Sequence, residues 1–387
     1  MCENFVFDDI RPYHDSEVNQ QINIVLNDLE FQRILKKFIF KDDKKFDEVK
    51  QLLSGIQTIK ELQGKFMYPL IENLILKPTT DGVTCTGLEN LDITKSYLII
   101  SNHRDIILDA AILNYLIFRE GLHTTEIAIG DNLLIADWID HAVKLNRAFE
   151  VKRNLPVSEL MAASRNLSAY IRQDITERNI SVWIAQREGR TKDGCDKTQP
   201  SLLKMINLSN EKSFVEGFRE LRIVPLSISY EIEPCGISKV EELYKKETEG
   251  FTKTQADDLK SMAYGLFNSK GRVNFAFGRP MKVAIDEMDK KEQLSEKIEA
   301  LADYIDQRIY RNYKLWPNNY IAADMLRKEN KYEAEYNLEQ HARFVGLINK
   351  ALETINGDAT RIREMFLLMY ANPVINRENL TNPNGYF

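Results

Sequence analysis

Between about residue 80 and residue 277 the chain alternates short apolar runs with helical segments, and few folds accept that alternation. The runs are Val83–Gly87, Tyr97–Ser101, Ile127–Ile129, Phe149–Val151, Ile180–Ala185, Ile223–Tyr230 and Val273–Phe277. Several are continuous rather than alternating, and they are separated by stretches such as Val157–Glu177 whose apolar residues recur at helical spacing. Continuous apolar strands are strands covered on both faces. The expected fold class is therefore α/β: a mixed, mostly buried sheet flanked by helices, with helical regions on either side in the chain.

Those flanking regions keep a helical period. Ile22, Val25, Leu26, Leu29, Ile34, Leu35 and Phe38 follow it before the sheet, with Gly64 and Pro69 read as interruptions and Pro78 as the end. From about 285 to 371 the pattern is again charged, periodic helix, broken at Trp316-Pro317 and closed by Pro373, with Asn376–Phe387 read as an irregular arm. The division expected is 1–79, an N-terminal helical region; 80–284, an α/β domain; and 285–387, a C-terminal helical region and tail.

Composition sets outer limits. A chain of 387 residues that is 43% hydrophobic can bury a large core, as one big domain or two. A net charge of −6 disfavours nucleic acid as partner. Cys2, Cys85, Cys195 and Cys235 are scattered without metal-ligand or disulfide spacing, which suits a reducing cytoplasm. The N-terminus lacks the basic and apolar parts of a signal peptide, and no uncharged stretch reaches the roughly eighteen residues of a spanning helix. The expectation is a cytoplasmic protein, soluble or lying on a membrane without crossing it.

Chemistry concentrates where strands end. Tyr97–Ser101 delivers His103 to a polar turn, and an aliphatic helical stretch follows. Strand-to-helix junctions hold side chains at the open edge of a sheet, where ligands bind. A histidine with a nearby aspartate has what a hydroxyl-activating base needs: one ring nitrogen takes the proton while a carboxylate fixes the other. Phe149-Glu-Val-Lys-Arg153 is a strand ending in two cations. Ala185–Gly194 is a polar, glycine-bearing loop after an apolar strand. Taken singly, Arg153 and Arg190 read as solvated charges at strand ends. Taken together with His103, they suit a phosphorylated substrate, because guanidinium pairs its donors with phosphate oxygens.

In this order the segments resemble the glycerophosphate acyltransferase superfamily over about residues 85 to 282, the glycerol-3-phosphate and dihydroxyacetone-phosphate enzymes more than the lysophosphatidate enzymes. The family's His-x4-Asp block is matched by His103 and Asp109, with five residues between them instead of four. Ala128-Ile-Gly130-Asp-Asn132-Leu133 is similar to its Ala-x-Gly-x-Asn-Leu segment, and Arg147–Arg153 to its Gly-Ala-Phe-Phe-x-Arg-Arg block. Glu188-Gly189-Arg190-Thr191 is similar to Glu-Gly-Thr-Arg-Ser, Val224–Glu231 to the Val-Pro strand, and Asn274–Pro280 to a late Asn-Phe-Gly-x-Pro stretch.

The resemblance implies acyl transfer from a thioester, carried by coenzyme A or acyl carrier protein, to a hydroxyl of a glycerol-phosphate acceptor in phospholipid synthesis. It implies His103 as general base and Asp109 as its orienter, with Asp105 as competitor because of the extra residue. Arg153, Glu188, Gly189, Arg190 and Thr191 are the implied substrate-binding residues. The irregular third block does not choose between Arg187 and Arg190 as the phosphate holder. Neither metal nor bound cofactor is required. Acylation of a lysophosphatidate, another lysolipid or an aminolipid is the alternative, and a non-catalytic lipid-binding relative the remote one. A lipid product implies peripheral contact with the inner face of a membrane. Arg33–Lys41 with Lys44 and Lys45 is the candidate surface, equally readable as a helix packed on the core.

Overall fold

The computed structural model describes residues 5–36, 43–252, 254–281 and 283–380. Among them, all seven apolar runs are strands of one sheet: β1 (Thr80–Thr86), β2 (Leu98–Ser101), β3 (Glu126–Gly130), β4 (Ala148–Val151), β5 (Val182–Ala185), β6 (Val224–Tyr230) and β7 (Gly271–Phe277). Their order in space is β1-β7-β6-β2-β5-β3-β4. β6, β2, β5, β3 and β4 are parallel; β7 runs antiparallel to β6 and carries β1 alongside it. The sheet is mixed, as the apolar runs required.

Parallel neighbours need long crossovers, and helices supply them. Leu108–Arg119 joins β2 to β3, and Val157–Thr176 joins β4 to β5. Alternate residues of the strands feed two cores. Leu98, Ile100, Phe149, Val182 and Ile184 pack with Leu167, Tyr170, Ile171 and Ile175 of the second crossover helix and with Leu301, Ile305 and Ile309 of helix Leu294–Asn312. Ile99, Trp183, Val224, Leu226 and Ile228 pack on the opposite face against Leu108, Ile112 and Leu116. Because β3 lies beyond β5, the chain leaves β2, passes over β5 and returns to it, so the carboxyl ends of β2, β3, β4 and β5 open on one edge.

Two readings of the flanking helices are corrected. Residues Ile59–Thr79 stay helical through Gly64 and Pro69, in part as wider π-turns at Gln63–Met67 and Ile71–Leu76. Such turns let a helix absorb irregularities in its hydrogen-bond ladder without ending. Pro373 does not close the last helix, which runs from Ala359 to Glu378 and takes in Asn376. The proline leaves the Met369 carbonyl, four residues back, without its intrahelical donor. Gly194 (φ +76°) comes against that carbonyl so closely that a Cβ there would fall 2.2 Å from its oxygen. Buried Met365, Phe366, Met369 and Tyr370 hold this helix against Pro317–Arg327 and Leu338–Thr354.

Helix Leu294–Asn312 is tied to the loop after β5 by Thr198, whose N–H and O–H donate to Asp306 Oδ1 at 2.8 and 2.5 Å. Burial pushes the Asp306 carboxyl up to about 7, against the pull of these hydrogen bonds. The folded state therefore keeps a proton that the unfolded chain has already released above its ordinary value near pH 4. Stability from this group is lost as pH rises through that window, and the loss is complete above about 7. Asp306→Asn has no proton to lose. In urea unfolding its stability relative to wild type should improve by on the order of 2–4 kcal/mol between about pH 4.5 and pH 7.5. A difference that does not change with pH would remove Asp306 from this account.

Candidate active site

The site begins where β2 stops pairing. Asn102 replaces the ladder with a side-chain bridge to β6: its Nδ2 donates to the Ile228 carbonyl at 2.9 Å, and the Ile228 N–H donates to its Oδ1 at 2.8 Å. On the other side, Gln186 N–H donates to the Ser101 carbonyl at 2.7 Å and Thr191 N–H to the His103 carbonyl at 2.9 Å. Trp183 donates its indole N–H to Ser101 Oγ at 2.9 Å and stands edge-on to the His103 ring. The turn at His103 is thus held through the Asn102 side chain on the β6 side and through the His103 carbonyl by the loop after β5.

The residues after it absorb the extra position. Asp105 Oδ1 accepts from the N–H groups of Ile107 and Leu108 at 2.9 and 2.8 Å, closing a tight turn at the head of helix Leu108–Arg119. An aspartate accepting from the N–H two residues on is the usual Asx-turn arrangement. Asp109, in the first turn of the helix, points back. Its Oδ2 accepts from Arg104 N–H at 2.6 Å and Asp105 N–H at 3.0 Å, and lies 2.9 Å from His103 Nδ1. Its Oδ1 accepts from the Tyr230 hydroxyl at 2.9 Å. Burial and then the Asp109 charge hold the Tyr230 hydroxyl well above its usual range, so it stays a donor.

A carboxylate surrounded by donors is an acceptor only, so His103 Nδ1 carries the proton. Nε2 is left as the basic nitrogen, on a side chain that keeps 14% of its surface exposed. Asp105 has no part in this pair. Its carboxyl is fully buried and held above the usual range, by burial first and then by Asp109. Cys235 lies beside it, its thiol pushed up to about 12 by burial and then by Asp105, so it is no nucleophile at neutral pH.

The other anticipated residues fall in two groups. Arg153 lies across Gly130, where a Cβ would stand 3.0 Å from its Cζ, and its Nη1 pairs with exposed Glu188 at 3.2 Å. Asp131 holds the Arg153 and Asn154 N–H groups, so the loops after β3, β4 and β5 meet here. Gly189 turns the last of these with φ +68°. Arg190 turns inward. Its side chain is 3% exposed, with Nη2 3.6 Å from Glu242 Oε1, and Lys192 Nζ reaches Glu242 Oε2 at 2.6 Å. Among the described residues neither terminal nitrogen of Arg190 has a hydrogen-bond acceptor.

Several residues around the turn escaped the sequence reading. Arg104 is buried, with Nη2 2.5 Å from Asp196 and Nη1 3.7 Å from Glu233. Lys239 pairs with Glu233 and donates to the Arg104 carbonyl at 2.7 Å. Tyr230 stood inside a recognised block without a role. The others carry no local signal, since each is defined by a partner at least ninety positions away or on another loop. Among the described residues no cluster of three or more His, Cys, Asp or Glu side chains is placed to hold a metal ion.

Residues 82–230 match the family model described as Acyltransferase. This segment is similar to acyltransferase domains. It runs from within β1 to the end of β6 and contains His103, Asp109, Arg153, the 186–199 loop and Tyr230. No curated relative matches the chain. A solved structure, the 1-acyl-sn-glycerophosphate (LPA) acyltransferase PlsC from Thermotoga maritima, is similar at 13% identity and a TM-score of 0.37, over 75% of this chain and 92% of that one.

Two substitutions separate the neighbouring aspartates of the matched segment. Asp109→Asn keeps the shape but offers His103 the wrong partner, and acyl transfer should fall by about three to four orders of magnitude in kcat. Asp105→Ala removes the acceptor of two backbone N–H groups in the turn and should cost about 1–3 kcal/mol of stability with a far smaller loss of turnover. Equal losses of turnover in two folded variants would contradict the assignment.

Proposed function

We propose that this protein moves an acyl group from a thioester, on coenzyme A or acyl carrier protein, to a hydroxyl of a glycerol-phosphate acceptor. The observation that carries the reading is the His103–Asp109 pair, with Nδ1 committed to the carboxylate and Nε2 left for the substrate. Nε2 takes the hydroxyl proton as the oxygen attacks the thioester carbonyl. The carbon–sulfur bond then breaks, and the proton goes on to the departing thiolate. Asp109 stabilises the imidazolium formed between these steps.

Phosphate binding is assigned to Arg153 and Arg190. Arg153 is the accessible cation where three loops meet, and the unused donors of Arg190 support a role in taking an oxyanion. Glu188, Gly189 and Thr191 shape the loop between them. Binding the phosphate remote from the reacting hydroxyl would align that hydroxyl with Nε2.

An acceptor screen with purified protein and a labelled acyl thioester tests this directly, with glycerol 3-phosphate, dihydroxyacetone phosphate and lysophosphatidate offered side by side. His103→Ala should lower transfer by about two to four orders of magnitude while the melting temperature holds. Arg153→Ala should raise the half-saturating acceptor concentration about tenfold or more, as loss of a charged hydrogen bond to phosphate does. Near-normal turnover in the histidine variant would sink the mechanism.

Peripheral membrane contact belongs to the same proposal. Among the described residues no helix is long and apolar enough to cross a membrane. The candidate surface 33–45 includes residues 37–42, which lie outside the described residues; Lys36, at its described edge, pairs with Asp43 at 2.8 Å. Neutralising Lys36, Lys37, Lys44 and Lys45 together should weaken sedimentation with anionic vesicles, by about 1 kcal/mol per charge. Wild type and variant binding alike would move the contact elsewhere.

A further inference from the structure

The C-terminal helices lie outside the matched segment in sequence, yet they reach its catalytic turn through a continuous set of buried polar contacts. Tyr370, on helix Ala359–Glu378, is 3% exposed, and its hydroxyl oxygen accepts the Glu233 N–H at 2.9 Å. That bond fixes the segment after β6. The Glu233 carboxylate pairs with Lys239 and lies 3.7 Å from Arg104 Nη1. Lys239 donates to the Arg104 carbonyl at 2.7 Å, and the Arg104 N–H donates to Asp109 Oδ2 at 2.6 Å. Arg104, Asp196, Glu233 and Lys239 are all at least nine-tenths buried, two cations against two carboxylates. In so dry a place each charge is held where its partners are.

The same helices grip the other loops of the site. Asn372 Nδ2 donates to the Asp193 carbonyl at 2.7 Å, beside the contact of Gly194 with the carbonyl that Pro373 leaves free. Asn319 Nδ2 takes the Tyr370 carbonyl at 2.8 Å, and Asn318 Nδ2 takes the Glu231 carbonyl at 2.6 Å. Asp193 leads directly to Asp196, the nearer carboxylate on Arg104. The loops after β2, β5 and β6 are thus joined at Arg104 and anchored on helices Pro317–Arg327 and Ala359–Glu378.

We propose that these C-terminal helices are a working part of the site and that Tyr370, acting through Glu233 and Arg104, is a positioning residue for the His103–Asp109 pair. The inference rests on the reading of His103 as the base. It adds that a hydroxyl from outside the matched domain sets the geometry of that base.

Tyr370→Phe removes the acceptor and preserves the ring; Asn372→Ala removes an exposed contact whose loss spares the core. Each should lower kcat about tenfold, with KM for donor and acceptor within about twofold of wild type, because a small misplacement of the base affects the reacting geometry and not binding. The second measurement needs no substrate. In protein labelled with 15N-histidine, the His103 ring signals should show a fixed Nδ1–H form in wild type and a shifted, exchange-broadened one in both variants, while the other four histidines stay unchanged. Wild-type kcat and unaltered His103 signals in folded variants overturn the proposal. If Tyr370→Phe does not fold, the same two readouts in Asn372→Ala decide. A wild-type protein that acylates no acceptor would instead defeat the proposed activity, and the ring signals would still decide the positioning.

Discussion

The carboxyl edge of the sheet is organised around one buried anion, Asp109. Its two oxygens collect four donors from three different sources: two backbone N–H groups of the turn before its helix, an imidazole N–H and a tyrosine hydroxyl from β6. A carboxylate without water is costly unless such donors replace its hydration. The requirement works in both directions. The donors satisfy both oxygens of Asp109, and the carboxylate in turn fixes the turn, the tautomer of His103 and the hydroxyl of Tyr230. The helix that begins at Leu108 adds its N-terminal dipole to the same balance.

A second balance lies directly behind the first. Arg104 follows His103 in the chain, so whatever holds its guanidinium also bears on the backbone at His103. Asp196 and Glu233 come from the loops after β5 and β6, and Lys239 offsets the charge that Arg104 alone would leave. Burial raises the Asp196 carboxyl, and the Arg104 charge opposes that rise. Well-partnered buried ions of this kind contribute geometry more than stability. Three loops share one cation at this turn, and the C-terminal helices bond to two of them.

Arg153 and Arg190 show how neighbouring cations come to differ. Arg153 sits at an exposed rim, paired with one carboxylate that water also reaches. Arg190, two residues beyond Glu188, has crossed to the buried side and faces Glu242 on the helix after β6. The left-handed Gly189 between Glu188 and Arg190 reverses the loop and sends them to opposite sides. An accessible cation steers and aligns an anion, whereas a dehydrated one binds it more strongly once it has entered.

Much of this was present in the amino-acid order. Apolar periodicity is a local property, so the seven strands, the helical flanks and the place of His103 at a strand end could be read directly. The blocks around Asp131, Arg153, Glu188 and Tyr230 were legible for the same reason, as polar turns punctuating apolar runs. Spacing alone could not choose Asp109 over Asp105, because the choice depends on how a turn closes and which N–H groups it leaves to be satisfied. Pro373 read as an end and became the middle of a helix, since its lost hydrogen bond is compensated by packing against Pro317–Arg327 and the loop at Gly194. Arg104, Asp196, Glu233, Lys239 and Tyr370 are unremarkable charged and aromatic residues in sequence. Their role exists only where loops from β2, β5 and β6 converge on the C-terminal helices, because a buried charge is defined by its partners, and partners from distant segments meet only in the folded chain.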